Sequence, residues 1–136
     1  MTTPEIPYGL LYTDSHSWLA PAVGSPGETP QRTGVTPEAL ADLEIVAIDL
    51  PPVRSYVEAG MPCAALWTSA WTPVTILAPI GGLVTMTNSA AVTIPRLVVD
   101  DPFGAGWLFA VLPSIESTEE ALLTADQYQL ARGKAA

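Results

Sequence analysis

Few side chains in this sequence are of the types that carry out catalysis. The 136 residues include one histidine, His16, and one cysteine, Cys63. His16 lies in Asp-Ser-His-Ser-Trp, but neighbours on a strand point to opposite faces, so Asp14, Ser15 and His16 cannot converge as a catalytic triad. We expect His16 to pack or to hydrogen-bond at the end of a sheet.

Cys63 and the acidic residues also favour structural roles. Cys63 follows Gly-Met-Pro, without a base or helix start nearby to lower its pKa, and is expected to be a small buried hydrophobe. Asp100 and Asp101 precede Pro-Phe-Gly and are expected to form a turn. The remaining clustered carboxylates are expected at a helix start: Glu116, Glu119 and Glu120.

No constellation of these residues assembles a catalytic or metal site. One His and one Cys leave too few strong ligands for a metal, since a site needs three or four. The sequence therefore predicts no catalytic residue, no metal and no cofactor, and the chain is not expected to be an enzyme.

The charge balance excludes two classes of partner. Fourteen acidic and five basic residues give a net charge of −9. Binding to nucleic acid or to an anionic membrane needs clustered Lys and Arg, and here these residues are few and scattered. A single cysteine and a start with neither a basic nor a continuous apolar segment indicate a cytoplasmic protein.

The elements that must position any site are mostly strands. Short β-branched runs broken by Pro, Gly and Thr predict eight strands: 10–13, 17–20, 31–35, 45–50, 64–67, 74–78, 83–87 and 107–111. The stretch from Ala59 to Pro95 carries no charge, but prolines and glycines interrupt it, so it is predicted to be buried strands and not a membrane span.

Helix signals are fewer. Thr36, Pro37 and Glu38 form the N-cap and first turn of a predicted helix. Two capping boxes follow, Ser117 with Glu120 and Thr124 with Gln127, and the second predicts a helix that ends at Gly133. One domain over residues 8–131 is expected, with tails at 1–7 and 132–136.

A hairpin within residues 65–82 carries an unusual tip of six uncharged residues: Trp67, Thr68, Ser69, Ala70, Trp71 and Thr72. The two indoles could both pack into the core, could both be exposed, or could divide between the two. Because Trp is enriched at binding hot spots, an exposed indole here favours a contact surface.

Several collinear segments resemble the H protein of the glycine cleavage system. They are YTDSHSW, GVTPEALADLEIVAIDLPPV, VEAGMPCAAL, LAPIGG, DDPFGAGWLFAVLPS and LLTADQY, which together run from about Tyr8 to Leu130. The resemblance implies a mainly β fold, the barrel-sandwich hybrid of two small antiparallel sheets with a protruding hairpin and short peripheral helices. It also implies a role in handing an aminomethyl group between enzymes on a lipoyl arm.

The lipoyl arm of that family is attached to a lysine on the hairpin, and this sequence departs from the pattern there. The lysine position falls on Ala70 when aligned from Ala-Gly-Met-Pro, and on Trp71 when aligned from Ala-Pro-Ile-Gly-Gly. Neither side chain can form the amide. The chain's one lysine, Lys134, lies two residues from the end.

We therefore predict a non-lipoylated binding or scaffold protein. Its tip, from Trp67 to Thr72, would dock on a partner enzyme resembling an aminomethyltransferase or a decarboxylase. One alternative is a carrier of an apolar small molecule held beside the tryptophans. Another is a non-catalytic subunit that completes a partner's active site, and the tip could also pair with itself in a homodimer.

Overall fold

The computed structural model of the chain describes residues 7, 9–21, 29–40, 43–114 and 122–133. Within them the chain forms nine strands, one 3-10 helix and three α-helices. The strands are β1 (Leu11–Tyr12), β2 (Ser17–Leu19), β3 (Gln31–Val35), β4 (Ile45–Asp49), β5 (Tyr56–Val57), β6 (Pro62–Thr68), β7 (Pro73–Leu77), β8 (Gly82–Thr87) and β9 (Phe109–Pro113). The 3-10 helix is Pro37–Leu40, and the α-helices are α1 (Ser89–Thr93), α2 (Arg96–Asp100) and α3 (Ala125–Gly133).

The strands form two antiparallel sheets. The larger has six strands in the order β1-β2-β3-β9-β8-β5, and the smaller has three in the order β4-β6-β7. One core cluster joins buried side chains of both sheets, among them Val84 and Val111 from the larger sheet and Leu66 and Ile76 from the smaller. The predicted mainly β sandwich with short helices is confirmed.

Close packing in the larger sheet depends on one glycine. Gly34 pairs with Trp18 across β2 and β3, and a Cβ added to Gly34 would lie 2.7 Å from the Trp18 indole nitrogen. That nitrogen donates a hydrogen bond to the Pro102 carbonyl at 3.0 Å. Gly34 therefore lets a buried indole cover the strand and reach the turn after α2.

The uncharged stretch was predicted as strands throughout, and this is wrong at its end. It does form β6, β7 and β8, but Ser89–Thr93 is the helix α1. Asn88 caps this helix, because its side-chain oxygen accepts a hydrogen bond from the Ala90 N–H at 3.2 Å. A cap of this kind offers the backbone a local partner and starts a helix where the apolar run alone indicated a strand.

Two further elements escaped the sequence prediction. The strand β5 has two residues, which is too short for an alternating pattern to be recognised. The helix α2 has five residues and carries an Arg96–Asp100 ion pair of 3.5 Å on its exposed side. In addition, the last strand begins at Phe109, two residues later than predicted, because Trp107 N–H closes a turn onto the Gly104 carbonyl at 3.1 Å.

The predicted helix starts have mixed outcomes. The Thr124–Gln127 capping box is confirmed, with Thr124 N–H donating to Gln127 Oε1 at 2.9 Å and Gln127 N–H donating to Thr124 Oγ1 at 3.2 Å. The helix predicted after Thr36 is a single 3-10 turn. Thr36 Oγ1 does not cap it but forms a hydrogen bond with the Tyr128 hydroxyl at 2.7 Å. Ser117, Glu120 and the carboxylates Glu116 and Glu119 lie outside the described residues.

Among the described residues, no helix is both long enough and apolar enough to cross a membrane.

Candidate functional site: the β6–β7 hairpin

The hairpin tip is closed by hydrogen bonds among its threonines and Trp71. Trp71 N–H donates to the Thr68 carbonyl at 2.8 Å, and Thr68 N–H donates to the Thr72 carbonyl at 3.0 Å. The two threonine hydroxyls are 2.8 Å apart. Behind the turn, β6 and β7 pair through Leu66 with Val74 and through Trp67 with Pro73. The tip is therefore a defined turn.

Trp71 is presented to solvent from a left-handed backbone. Its φ is 60° and its side chain is 69% exposed. A left-handed conformation costs a residue with a Cβ roughly 1–2 kcal/mol relative to the right-handed one, whereas glycine adopts it freely. An indole thus occupies a turn position that favours glycine, and this indole is not buried in the core.

Trp67 has a different environment. It is half-buried, and its indole Nε1–H donates a hydrogen bond to Asp49 Oδ2 at 2.9 Å. Of the three arrangements left open by the sequence, the structure has one exposed indole, Trp71, and one that is partly buried against β4, Trp67.

Both positions to which the resemblance assigns a lysine, Ala70 and Trp71, lie in this turn. Ala70 and Trp71 are exposed, as are Ser69 and Thr72, whereas Thr68 is buried. The tip thus offers solvent no ionisable side chain at either position. Lys134 lies outside the described residues.

His16 belongs to a structural network. Its Nδ1 lies 2.6 Å from the Tyr128 hydroxyl, which also bonds to Thr36 Oγ1 at 2.7 Å. The Tyr128 ring stacks on Tyr12, with ring centroids 5.0 Å apart. Burial, and secondarily the neighbouring Tyr128, raises the pKa of Tyr12 above its ordinary range. His16 therefore fastens α3 to the larger sheet, in agreement with the expectation that it hydrogen-bonds at a sheet end.

Sequence reasoning missed Tyr128 as the partner of His16 and Tyr12 as the ring on which Tyr128 stacks. They are 116 residues apart in the chain, and both are fully or almost fully buried. The signal that could have found Tyr128 is its place on helix α3, three residues after the buried Ala125 on the same face.

Cys63 has the environment of a structural thiol. It is half-buried, its Sγ lies 3.5 Å from the Ile76 carbonyl oxygen, and burial raises its pKa to about 12. At neutral pH the group is a thiol, and the nucleophilic form is the thiolate. This agrees with the expectation of a small packed hydrophobe.

The turn predicted at the acidic pair forms at Asp101, whereas it is wrong for Asp100, which is the last residue of helix α2 and pairs with Arg96. Asp101 Oδ2 accepts a hydrogen bond from Ala105 N–H at 2.8 Å, and Gly104 and Gly106 N–H both bond to the Asp101 carbonyl. Across the part of the chain that the structure describes, no group of three or more His, Cys, Asp or Glu residues could hold a metal ion.

Two clefts among the described residues lie away from the tryptophans. One of about 360 Å³ is lined by Thr13, Asp14, Ser15, Leu77 and Leu123, among others. Another of about 450 Å³ is lined by residues that include Pro52, Tyr56, Met61 and Cys63. Trp67 and Trp71 line neither of these two clefts.

A sandwich of two antiparallel sheets that presents the turn of a β-hairpin to solvent defines the class of this protein, and comparisons with known proteins give its family. The model of the family described as Glycine cleavage H-protein matches residues 10–134. The glycine cleavage system H protein of Shewanella frigidimarina is 39% identical over 125 residues, covering 91% of this chain and 93% of that protein. The protein of the same name from Shewanella denitrificans is 38% identical over 125 residues, with the same coverage of both.

The crystal structure of a glycine cleavage system H protein from Mycobacterium marinum is also similar. It matches with a TM-score of 0.83 and 35% identity, covering 94% of this chain and 99% of that one. This chain belongs to the glycine cleavage H-protein family.

Proposed function

We propose that this protein is a non-lipoylated member of the family that works as a docking or scaffold protein in the cytoplasm. Its hairpin tip, Trp67 to Thr72, binds a partner enzyme, an aminomethyltransferase-like or decarboxylase-like protein of the glycine cleavage type. The protein itself performs no catalytic step and binds no cofactor.

The observation that carries the proposal is Trp71. It occupies one of the two candidate lysine positions, is 69% exposed and holds a left-handed φ of 60°. An exposed indole costs solubility, and a strained backbone costs stability, so retention of both at one position indicates a role outside folding.

The tip carries no primary amine, and this supports the proposal that the protein is not lipoylated. An amide to lipoate requires an amine, and the tip carries Ala70 and Trp71 at the two candidate positions. The scaffold around the tip is retained, since a family member of known structure superposes over 94% of this chain. A retained scaffold with a changed tip is expected of a protein that still docks but no longer carries.

Binding to the candidate partners tests the proposal. The aminomethyltransferase and the decarboxylase of the same organism would be purified and titrated with the wild type by calorimetry. Trp71→Gly removes the indole and relieves the left-handed backbone, so its folded state is not weakened. We expect a loss of about 2 kcal/mol of binding free energy, roughly thirtyfold in Kd, as at an aromatic hot spot.

The matched control is Trp107→Phe. Trp107 is half-buried in the turn that precedes β9, and Arg32 lies over its ring at 4.5 Å from the centroid. It should bind like the wild type. If neither enzyme binds, or if Trp71→Gly binds as tightly as the wild type, the proposal is wrong. Activity that arises only when this protein is mixed with a partner would identify the subunit alternative.

A further inference from the structure

The hairpin tip is tied to the neighbouring strand β4 at two points. Ser69 N–H donates to the Glu44 carbonyl at 3.0 Å, just before β4 begins. At the other end of the strand, Trp67 Nε1–H donates to Asp49 Oδ2 at 2.9 Å. The backbone of Trp67 pairs with Ala47, so its indole reaches diagonally along β4 to the residue two positions farther on.

This diagonal contact joins a half-buried indole to an exposed carboxylate at an ordinary hydrogen-bond length of 2.9 Å. Diagonal cross-strand neighbours lie within reach of a long aromatic side chain, and a hydrogen bond to an ionised carboxylate is shorter and stronger than one between neutral groups. Thr68, the residue after Trp67, pairs with Ile45. The pairing of β4 with β6 shifts register between Ile45 and Ala47. The contacts of Ser69 and Trp67 lie on either side of this irregularity, and together we call them the brace.

The tip needs such support. A two-stranded hairpin is marginally stable by itself, and this one holds Trp71 in a left-handed conformation that persists only where the surroundings fix it. The contacts of Ser69 and Trp67 to β4 supply that constraint from outside the turn.

We propose that Trp67 is a positioning residue for the docking site. Acting through Asp49, it holds the turn against β4, so that Trp71 meets the partner in one fixed orientation. This inference rests on the proposed function. The two tryptophans then have different roles. Trp71 contacts the partner, and Trp67 fixes the orientation of the turn that carries Trp71.

Three variants separate the Trp67–Asp49 hydrogen bond from the packing of the ring and from the charge of Asp49. Trp67→Phe keeps a ring but removes the N–H, and Asp49→Ala removes the acceptor. Asp49→Asn removes the charge but retains an oxygen that can accept from the indole. Trp107→Phe makes the same ring change in the turn before β9, away from the hairpin, and is the matched control.

The first readout is amide hydrogen exchange by NMR, which needs no partner. In Trp67→Phe and Asp49→Ala we expect Ser69 and Trp71 amides to exchange about fivefold faster, as after loss of one hydrogen bond. Asp49→Asn should fall between these variants and the wild type, and Trp107→Phe should match the wild type. Amides of β8 and β9 should not change in any variant.

The second readout is Kd for the partner identified by calorimetry. Trp67→Phe and Asp49→Ala should weaken binding about fivefold, and Asp49→Asn should restore most of the affinity. Unchanged exchange at Ser69 and Trp71 would overturn the brace. If binding is weaker but amide exchange is unchanged, Trp67 contacts the partner directly and does not position the turn. If exchange is faster but Kd is unchanged, Trp67 stabilises the turn but has no role in docking. If the wild type binds neither enzyme, the proposed function is wrong while exchange still decides the brace.

Discussion

At the scale of single residues, the side chain of Trp71 is unfavourable for folding in two ways. Trp71 sits where glycine is the favoured residue, and it exposes most of an indole. Neither property helps the chain to fold. The buried or half-buried residues with reactive groups, His16 and Cys63, are by contrast engaged in contacts within the fold.

The strain at Trp71 leads to a stability prediction. Trp71→Gly should raise the free energy of unfolding by about 1 kcal/mol relative to Trp71→Ala, because only glycine relieves the left-handed backbone. Urea unfolding followed by circular dichroism measures the difference. Ala70→Gly is the control, since Ala70 does not have a positive φ, and it should bring no gain. Equal stability of the two Trp71 variants would show that the turn is not strained.

The raised pKa of Cys63 predicts that the free energy of unfolding depends on pH in the alkaline range. Burial raises its pKa in the folded state from 9.0 to about 12. Between these values the unfolded chain loses the thiol proton first, so the contribution of Cys63 to stability is fully present below pH 9 and is lost as pH rises through about 12. Cys63→Ala should therefore show a smaller fall in stability over this range than the wild type. Parallel curves for the two proteins would contradict the assignment.

At the scale of elements, the larger sheet and helix α3 are joined by the hydroxyl of Tyr128. It bonds to His16 Nδ1 at 2.6 Å and to Thr36 Oγ1 at 2.7 Å, and thereby links α3, the turn after β1 and the start of the 3-10 helix. Thr36 is fully buried, so its hydroxyl has no access to water as a substitute partner.

Removal of that hydroxyl should loosen the junction. Tyr128→Phe leaves the Thr36 hydroxyl without this bond, which is expected to cost about 1–3 kcal/mol of unfolding free energy. Thermal or urea unfolding measures the loss. Tyr56→Phe is the matched control, because Tyr56 is 76% exposed, and it should change stability little. A neutral Tyr128→Phe would mean that the ring stacking on Tyr12 alone holds α3.

At the scale of the whole molecule, the H-protein fold surrounds a hairpin tip that carries Ala70 and Trp71 at the two positions to which the resemblance assigns a lysine. The core between the sheets, the capping box of α3 and the turn after α2 all form as the family resemblance implied. The proposed change of role therefore concerns one turn and leaves the scaffold as it was.

Reinstating the lysine tests whether the scaffold still supports the carrier's chemistry. We expect a lipoate–protein ligase to leave the wild type unmodified and to attach one lipoyl group to Trp71→Lys or to Ala70→Lys, whichever matches the family register. Intact-mass spectrometry measures the modification. Ser69→Lys is the control for a lysine elsewhere in the turn. Modification of the wild type would place lipoate on Lys134 and would contradict the non-lipoylated assignment.

The sequence alone determined the features that depend on local order along the chain. The collinear motifs indicated the family, the Thr124–Gln127 pair started α3, and the turn residues around Asp101 indicated a turn. Each rests on residues a few positions apart, whose interactions form wherever no distant partner competes for them, as one does for Thr36. The sequence also shows directly that the hairpin tip, Trp67 to Thr72, contains no lysine.

Only the tertiary structure decided the features that depend on residues distant in the chain. It separated the two tryptophans, because Asp49 on a neighbouring strand accepts a hydrogen bond from Trp67, whereas Trp71 is 69% exposed. It directed Thr36 to Tyr128, 92 residues away, instead of to a helix cap. The physical reason is that a side chain's partner is chosen by the geometry of packed sheets, which brings together groups that the sequence keeps far apart.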